Sequence, residues 1–246
     1  MAKPIYLIKQ AAQPNTLELY IYDNVESDST NWWTGEVTES ETSAKYVKSQ
    51  LDVAGEVQNI NIYINSYGGS VKEGLGIYNQ LKRHPAQKTI YIDGFACSIA
   101  SVIAMAGDKV IMGTNALMMV HHASMGVYGN ADELRKAAND VETIDGASCS
   151  SYLAKAGDKL TEDTLKELLD GQTWLNAEQC LQYGLCDEIT GKEDKTITDA
   201  KQRFDAAMKF EIEQRKPNIE VPINLTTQKT NAEKLMAAFK KNMEAK

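Results

Sequence analysis

Twice in succession the chain runs from a β-branched apolar stretch, through a turn containing glycine, into a helical repeat. Residues 59–64 (Asn-Ile-Asn-Ile-Tyr-Ile) lead into Asn65-Ser-Tyr-Gly-Gly-Ser70, and Val71, Leu75, Tyr78 and Leu81 then recur at helical spacing until Pro85 forbids continuation. Residues 88–93 repeat the pattern and deliver the chain to Gly94, after which small apolar residues run to Gly107. Successive βα units of this kind can bury both faces of their strands only in a parallel sheet with right-handed crossovers. The expected fold is therefore α/β. A glycine at position 94 is expected to turn strand into helix, with Ser98 in the first helical turn, where unpaired backbone N–H groups favour a developing oxyanion.

The flanking segments read consistently with this frame. Residues 5–9 and 17–25 read as strands, and the intervening Pro14-Asn15 as their turn. Trp32-Trp33 are assigned to the core as the commoner fate of tryptophan, with a partner surface as the alternative. Thr38-Glu-Ser-Glu41 has the form of a capping box, followed by Ala44, Val47 and Leu51 on one helical face and a stop near Gly55. Residues 109–112 and 117–120 are two further strands, the second ending at His121-His122. Asn130 and Glu133 open a long helix to about Lys155, with Gly146 as its weak point. Shorter helices begin at Thr161 and Asn176, and residues 185–189 form a last strand. Beyond Thr190 the composition turns to Lys, Glu, Asp and Gln, with Pro217 and Pro222 between two amphipathic stretches. The chain thus divides into a folded domain, residues 1–192, and a charged, partly helical appendage, residues 193–246, of a composition that often folds on a partner.

Charge and cysteine usage narrow the function. A net charge of −8 over 246 residues disfavours nucleic acid, since phosphate binding requires local positive charge. The four cysteines, Cys97, Cys149, Cys180 and Cys186, show no C-x-x-C spacing, so neither a zinc site nor a disulfide framework is expected, and no cofactor is called for. No apolar run approaches the roughly 20 residues of a membrane span. A cytoplasmic protein is the expectation. The chain has three histidines, so the search for a base is short. His84 closes a helix beside Pro85 and reads as a solvated surface group. His121 and His122 stand at the C-terminal end of a strand, where α/β sheets place their ligands. Adjacent strand residues point to opposite faces, so the two are not expected to share a metal ion. A serine hydroxyl needs a base to take its proton and two N–H donors for the oxyanion. The Gly68-Gly69 turn and the joint at Ser98 would lie side by side if their strands are neighbours.

Three of these segments resemble the signature segments of the Clp protease proteolytic subunit family: Asn65-Ser-x-Gly68-Gly69-Ser-Val, Gly94-x-Ala-x-Ser98-Ile and Met119-Val-His121. Gly126-x-x-Gly129, Trp174-Leu-Asn-Ala-Glu and Tyr183-Gly-Leu-x-Asp187 extend the likeness, which covers about residues 60–189 in order. The resemblance implies a crotonase-like (ClpP-like) spiral of β–α units, serine peptidase activity on polypeptides, and homo-oligomeric rings, single or stacked, that enclose the active sites. It makes Ser98 the nucleophile and His121 its base, and gives the oxyanion to the backbone N–H groups of Gly69 and Ile99. His122 falls at a non-catalytic position.

Two departures matter. The family's orienting aspartate is replaced by Gln172, ahead of Thr173-Trp174. Glutamine accepts a histidine N–H but carries no charge, and an amide in that place costs a serine protease about 10⁴ in kcat. Asp170 is the nearest carboxylate, and Ser98–His121–Asp170 is the expected arrangement. The N-terminal segment and the Trp32-Trp33 region, in turn, do not match the elements with which the cellular members dock an ATP-driven unfoldase. The chain has no G-x-x-x-x-G-K-[ST], so any ATPase would be a separate chain. This pattern resembles the phage and prophage branch, whose members cut scaffold or capsid protein during head maturation in the host cytoplasm or procapsid. An unfoldase-dependent subunit, a catalytically impaired homologue serving assembly, and acyl-CoA chemistry on the same fold remain as alternatives.

Overall fold

The structure, a computed structural model, describes residues 15–190. The strand expected at residues 5–9 and the appendage at 193–246 lie outside the described residues. The elements follow in the order β1 (Thr16–Ile21), β2 (Ser29–Thr30), β3 (Val37–Thr38), α1 (Ala44–Ala54), β4 (Asn59–Ser66), α2 (Val71–Arg83), β5 (Gln87–Cys97), α3 (Ile99–Ala104), β6 (Lys109–Gly113), β7 (Leu117–Val120), α4 (Ala131–Ala156), α5 (Glu162–Asp170), β8 (Thr173–Asn176), α6 (Ala177–Gln182) and β9 (Glu188–Thr190). Seven strands form one sheet in the order β1-β4-β5-β6-β9, with β7 joined to β5 and β8 joined to β7. Every pairing in it is parallel except β7 with β8. The α/β architecture expected from the repeated units is the one found.

β5 is the axis of the fold. Its first part, Thr89 to Ile92, pairs with Lys109 to Met112 of β6, and its last part, Phe95 to Cys97, pairs with Leu117 to Met119 of β7. One long strand therefore serves two successive partners on the same edge, and the sheet winds around it. Ile60, Ile62, Ile64, Ile90 and Ile92 are fully or almost fully buried on one face of β4 and β5. On the opposite face of these strands Tyr20, Tyr63 and Tyr91 stack across β1, β4 and β5, with ring centroids 4.9 and 5.1 Å apart. Period-2 alternation is thus satisfied by isoleucine on the core side and tyrosine on the other.

Three local expectations need correction. The turn into the helix comes not at Gly94 but at Ser98, because β5 continues to Cys97 and α3 begins at Ile99. Gly94 answers a different need: a Cβ there would lie 2.5 Å from Asn65 Oδ1, the atom that accepts the Phe95 N–H at 3.1 Å. Thr38 is part of a hairpin strand rather than a helix cap; Ser43 caps α1 through the Tyr46 N–H, and the Ala44 N–H is bonded to Glu73 of α2 at 2.8 Å. That carboxylate is invisible to a pattern confined to the helix's own sequence. Trp32 and Trp33 do not join the core: they are 84% and 80% exposed in the turn of the β2–β3 hairpin. Two strands of two residues each create no interior in which an indole could be buried.

Candidate active site

Parallel pairing of β4 and β5 brings their two C-terminal turns together, with Ser66 opposite Ala96. The Gly68-Gly69 turn is fixed on one side by Val25: the Val25 N–H donates to Gly68 O and the Ser70 N–H donates to Val25 O, both at 2.7 Å. In such a parallel bridge the N–H of the middle residue points away from the partner strand. Gly69 therefore turns its N–H away from Val25. Gly68 is in close contact with the end of β5 and the start of α3, since a Cβ on it would lie 2.7 Å from Cys97 O, 2.7 Å from Ser98 Cβ and 3.2 Å from Ile99 N. Ser66, buried, completes the turn by accepting the Gly68 N–H at 3.1 Å and donating to Asp23 O at 2.6 Å.

Ser98 has φ 53° and ψ −129°, a conformation that non-glycine residues occupy at a cost of about 1–3 kcal/mol. The surroundings hold it there. The Ser98 N–H donates to Met119 O of β7 at 2.8 Å, and the Ser98 carbonyl accepts from Ser101 Oγ at 2.5 Å. Ser101 Oγ is in turn 2.6 Å from the hydroxyl of Tyr152, whose side chain α4 buries completely against α3. The Ser98 hydroxyl caps no helix N–H. Among the described residues the N–H groups of Gly69 and Ile99 have no hydrogen-bond acceptor, although Ile99 is buried. A strained serine beside two unpaired donors can form an acyl-enzyme and hold its oxyanion. α3 has only six residues, so the orphan N–H groups rather than a long helix dipole supply the positive potential.

Tyr152→Phe leaves Ser101 without its buried partner and is expected to cost about 1–3 kcal/mol, read as a lowered midpoint of thermal or urea unfolding. Ser101→Ala, which removes both bonds of the relay, should cost more.

His121 lies two residues beyond Met119, the partner of Cys97 in the parallel register, and so stands at the same sheet edge as Ser98. Burial holds its pKa below the ordinary histidine value, against the opposing pull of the His122 backbone and the Asp145 carboxylate, so the imidazole is neutral at pH 7. Ser98 and His121 are not hydrogen-bonded to each other among the described residues; catalytic bonds of this kind often tighten only when substrate binds.

The expected third partner has to be corrected. Asp170 does not back His121: its Oδ1 is 2.9 Å from His122 Nε2, and its Oδ2 is 2.8 Å from Lys166 Nζ. Gln172 is exposed, with φ 46°, and its side chain has no hydrogen bond among the described residues. The antiparallel register of β7 and β8 explains the neighbourhood, since Thr173 faces Val120 and the residues before it run alongside His121-His122. His122, assigned no role from the sequence, holds two carboxylates, because its Nδ1 is also 2.7 Å from Asp145 Oδ2. Burial lowers the His122 pKa, but the hydrogen bonds to Asp170 and Asp145 outweigh it and raise the net value. Sequence reasoning overlooked Asp145 and Tyr152. The signal was their spacing: Asp145, Cys149, Tyr152 and Ala156 form one stripe of α4, and all four are partly or fully buried.

The Clp protease family model matches residues 19–193. The ATP-dependent Clp protease proteolytic subunit of Porphyromonas gingivalis is 30% identical over 161 residues, covering 62% of this chain and 70% of that one. Its counterpart in Deinococcus radiodurans is 33% identical over 141 residues, 56% of this chain and 68% of the relative. Subunit 1 of Streptomyces avermitilis is 29% identical over 175 residues, 66% and 76% of the two chains. The family match begins within β1 and ends beyond β9, more than half of the chain, and the protein belongs to the Clp protease family.

Proposed function

We propose that the protein is a serine endopeptidase of the Clp type, with Ser98 as nucleophile, His121 as general base, and the N–H groups of Gly69 and Ile99 as oxyanion donors. The observation that carries this reading is the strained backbone of Ser98 beside those two unpaired N–H groups. Ser98 Oγ attacks the scissile carbonyl carbon while its proton passes to His121, and the carbonyl oxygen becomes the oxyanion. Collapse breaks the C–N bond as His121 returns the proton to the leaving amine. Water, deprotonated by His121, then releases the acyl group and restores the serine.

The substrates proposed are scaffold or capsid proteins cut during phage head maturation, by a homo-oligomeric ring that encloses its active sites. Three features support this setting: the exposed Trp32-Trp33 hairpin, the largely exposed N-terminal part of the 26-residue α4, and the charged sequence after Thr190. Co-expression with cognate scaffold and capsid proteins should shorten them when the chain is wild type and leave them intact with Ser98→Ala. A second reading is an ATPase-dependent proteolytic subunit, favoured by the names of the relatives above. Cleavage that appears only when an unfoldase and ATP are added would select it. Failure of a fluorophosphonate probe to label Ser98 under any assembly condition would select a catalytically impaired assembly component.

A further inference from the structure

The described residues leave the active-site histidine without the carboxylate that the family reading assigns to it. Gln172 has no charge, and Asp170 is 54% exposed and shared between Lys166 and His122. A third carboxylate is better placed than either. Asp145 is only 17% exposed, on a helix that is exposed over most of its length, because it extends the inward stripe of Cys149, Tyr152 and Ala156 toward the end of β7. Both of its oxygens are used there. Oδ1 accepts the Ala123 N–H at 2.6 Å, and Oδ2 is 2.7 Å from His122 Nδ1. One carboxylate thus grips the backbone and the side chain that immediately follow His121.

We propose that Asp145 is the positioning carboxylate of this active site, fixing the strand end that carries His121 and stabilising the imidazolium that forms there, in place of the charge that Gln172 lacks. The inference rests on the serine peptidase reading above. It differs from that reading in taking the acid from α4 instead of the turn before β8. The same face of α4 reaches Ser98 by a second route, since Tyr152, two turns beyond Asp145, bonds Ser101 and through it the Ser98 carbonyl. A shift of α4 would therefore be felt by nucleophile and base together. The sign of the charge suits an imidazolium, since the Asp145 carboxylate acts on His121 to raise its pKa, against the dominant effect of burial. Other charged or titratable groups at this corner are His122 on the β7 end, Asp170 and Lys166 on α5, and Cys149 and Tyr152 on α4 itself, both of which feel the Asp145 charge.

The test is peptide hydrolysis by the full chain from pH 5 to 9, with fluorophosphonate labelling of Ser98, in wild type, Asp145→Asn, Asp145→Glu and Asp170→Asn. Loss of the Asp145 charge should lower kcat about 30- to 1,000-fold, less than the roughly 10⁴ of a directly bonded triad carboxylate. KM should stay within about 3-fold, and the acid limb of kcat/KM should move to lower pH as His121 loses a negative neighbour. Asp145→Glu keeps the charge and should leave the acid limb in place while kcat falls, so it carries the test if the amide variant does not fold. Asp170→Asn should alter kcat less than about 5-fold. The proposal is overturned if Asp145→Asn retains wild-type kcat and acid limb, if Asp145→Glu moves the limb as far as a neutral residue would, or if Asp170→Asn is the variant that loses kcat. Absence of labelling and turnover in the wild type would overturn the peptidase reading itself, and is distinct from all of these.

Discussion

Ser98→Ala is expected to abolish turnover, lowering kcat by about 10⁵- to 10⁶-fold, while changing the folding free energy by no more than about 0.5 kcal/mol. The two effects separate because the hydroxyl makes no capping bond and the residue's structural bonds run through its backbone, from N–H to Met119 O and from carbonyl to Ser101. Ser98→Gly should lose the same activity and gain stability. Glycine adopts φ 53° without the strain of about 1–3 kcal/mol, and gives back about 0.5–1 kcal/mol through the greater freedom of its unfolded chain. The net expectation is a rise of about 1 kcal/mol, or roughly 2–4 °C in Tm for a domain of this size. The strain at Ser98 is offset by no capping bond from its hydroxyl, as the proposed nucleophilic role requires. A glycine variant that melts lower than the alanine variant would contradict the strain argument, and labelling that survives Ser98→Ala would put the nucleophile elsewhere.

How far the sequence could be read follows from the range over which each interaction acts. The repeated βα units were legible because alternation in residues 59–64 and 88–93 and the 3.6 period after Val71 are local patterns, and burial of both sheet faces leaves few topologies for them. The side-by-side placement of the Gly68-Gly69 turn and Ser98 followed once β4 and β5 were taken as parallel neighbours. Errors arose where a distant group decides the local structure. Glu73 from α2 takes the Ala44 N–H, so α1 begins at a cap that its own sequence does not single out over Thr38. β7 pairs with the end of β5 and holds it extended to Cys97, so the helix expected from Gly94 onward is only Ile99–Ala104. At the candidate site the same division holds. Ser98 and His121 lie within short segments of characteristic residues, whereas Asp145 comes from a long polar helix and reaches His122 only through the way α4 packs against α3 and α5. Asp170 was misplaced by one residue of register: adjacent strand-end residues face opposite ways, and the carboxylate meets His122 instead of His121.

Gly69→Ala should damage stability and catalysis together, in contrast to the separated effects at Ser98. At φ 143° the new Cβ would lie 2.3 Å from Val25 O and 3.0 Å from Val25 N, and these are backbone atoms that no rotamer change can move. Relief requires breaking the bridge in which Val25 N–H donates to Gly68 O and Ser70 N–H donates to Val25 O, at about 1 kcal/mol per bond. Positive-φ strain of about 1–3 kcal/mol adds to this, so a loss of about 3–5 kcal/mol is expected from denaturant unfolding. The same displacement swings the Gly69 N–H away from the oxyanion position, for which the expected cost is about 10²–10³ in kcat. Two comparisons isolate the cause. Gly146→Ala, with nothing within 4 Å of its Cβ in the middle of α4, should stabilise by about 0.5–1 kcal/mol and leave kcat alone. Val25→Ala keeps the backbone bridge and removes only buried side-chain atoms, so it should cost stability while kcat stays within a few-fold. If Val25→Ala instead lowers kcat as far as Gly69→Ala does, the donor's position depends on packing at Val25 more than on the bridge. If Gly69→Ala melts and turns over like wild type, Gly69 is not an oxyanion donor, because a turn that accepts a Cβ at that point has already moved its N–H.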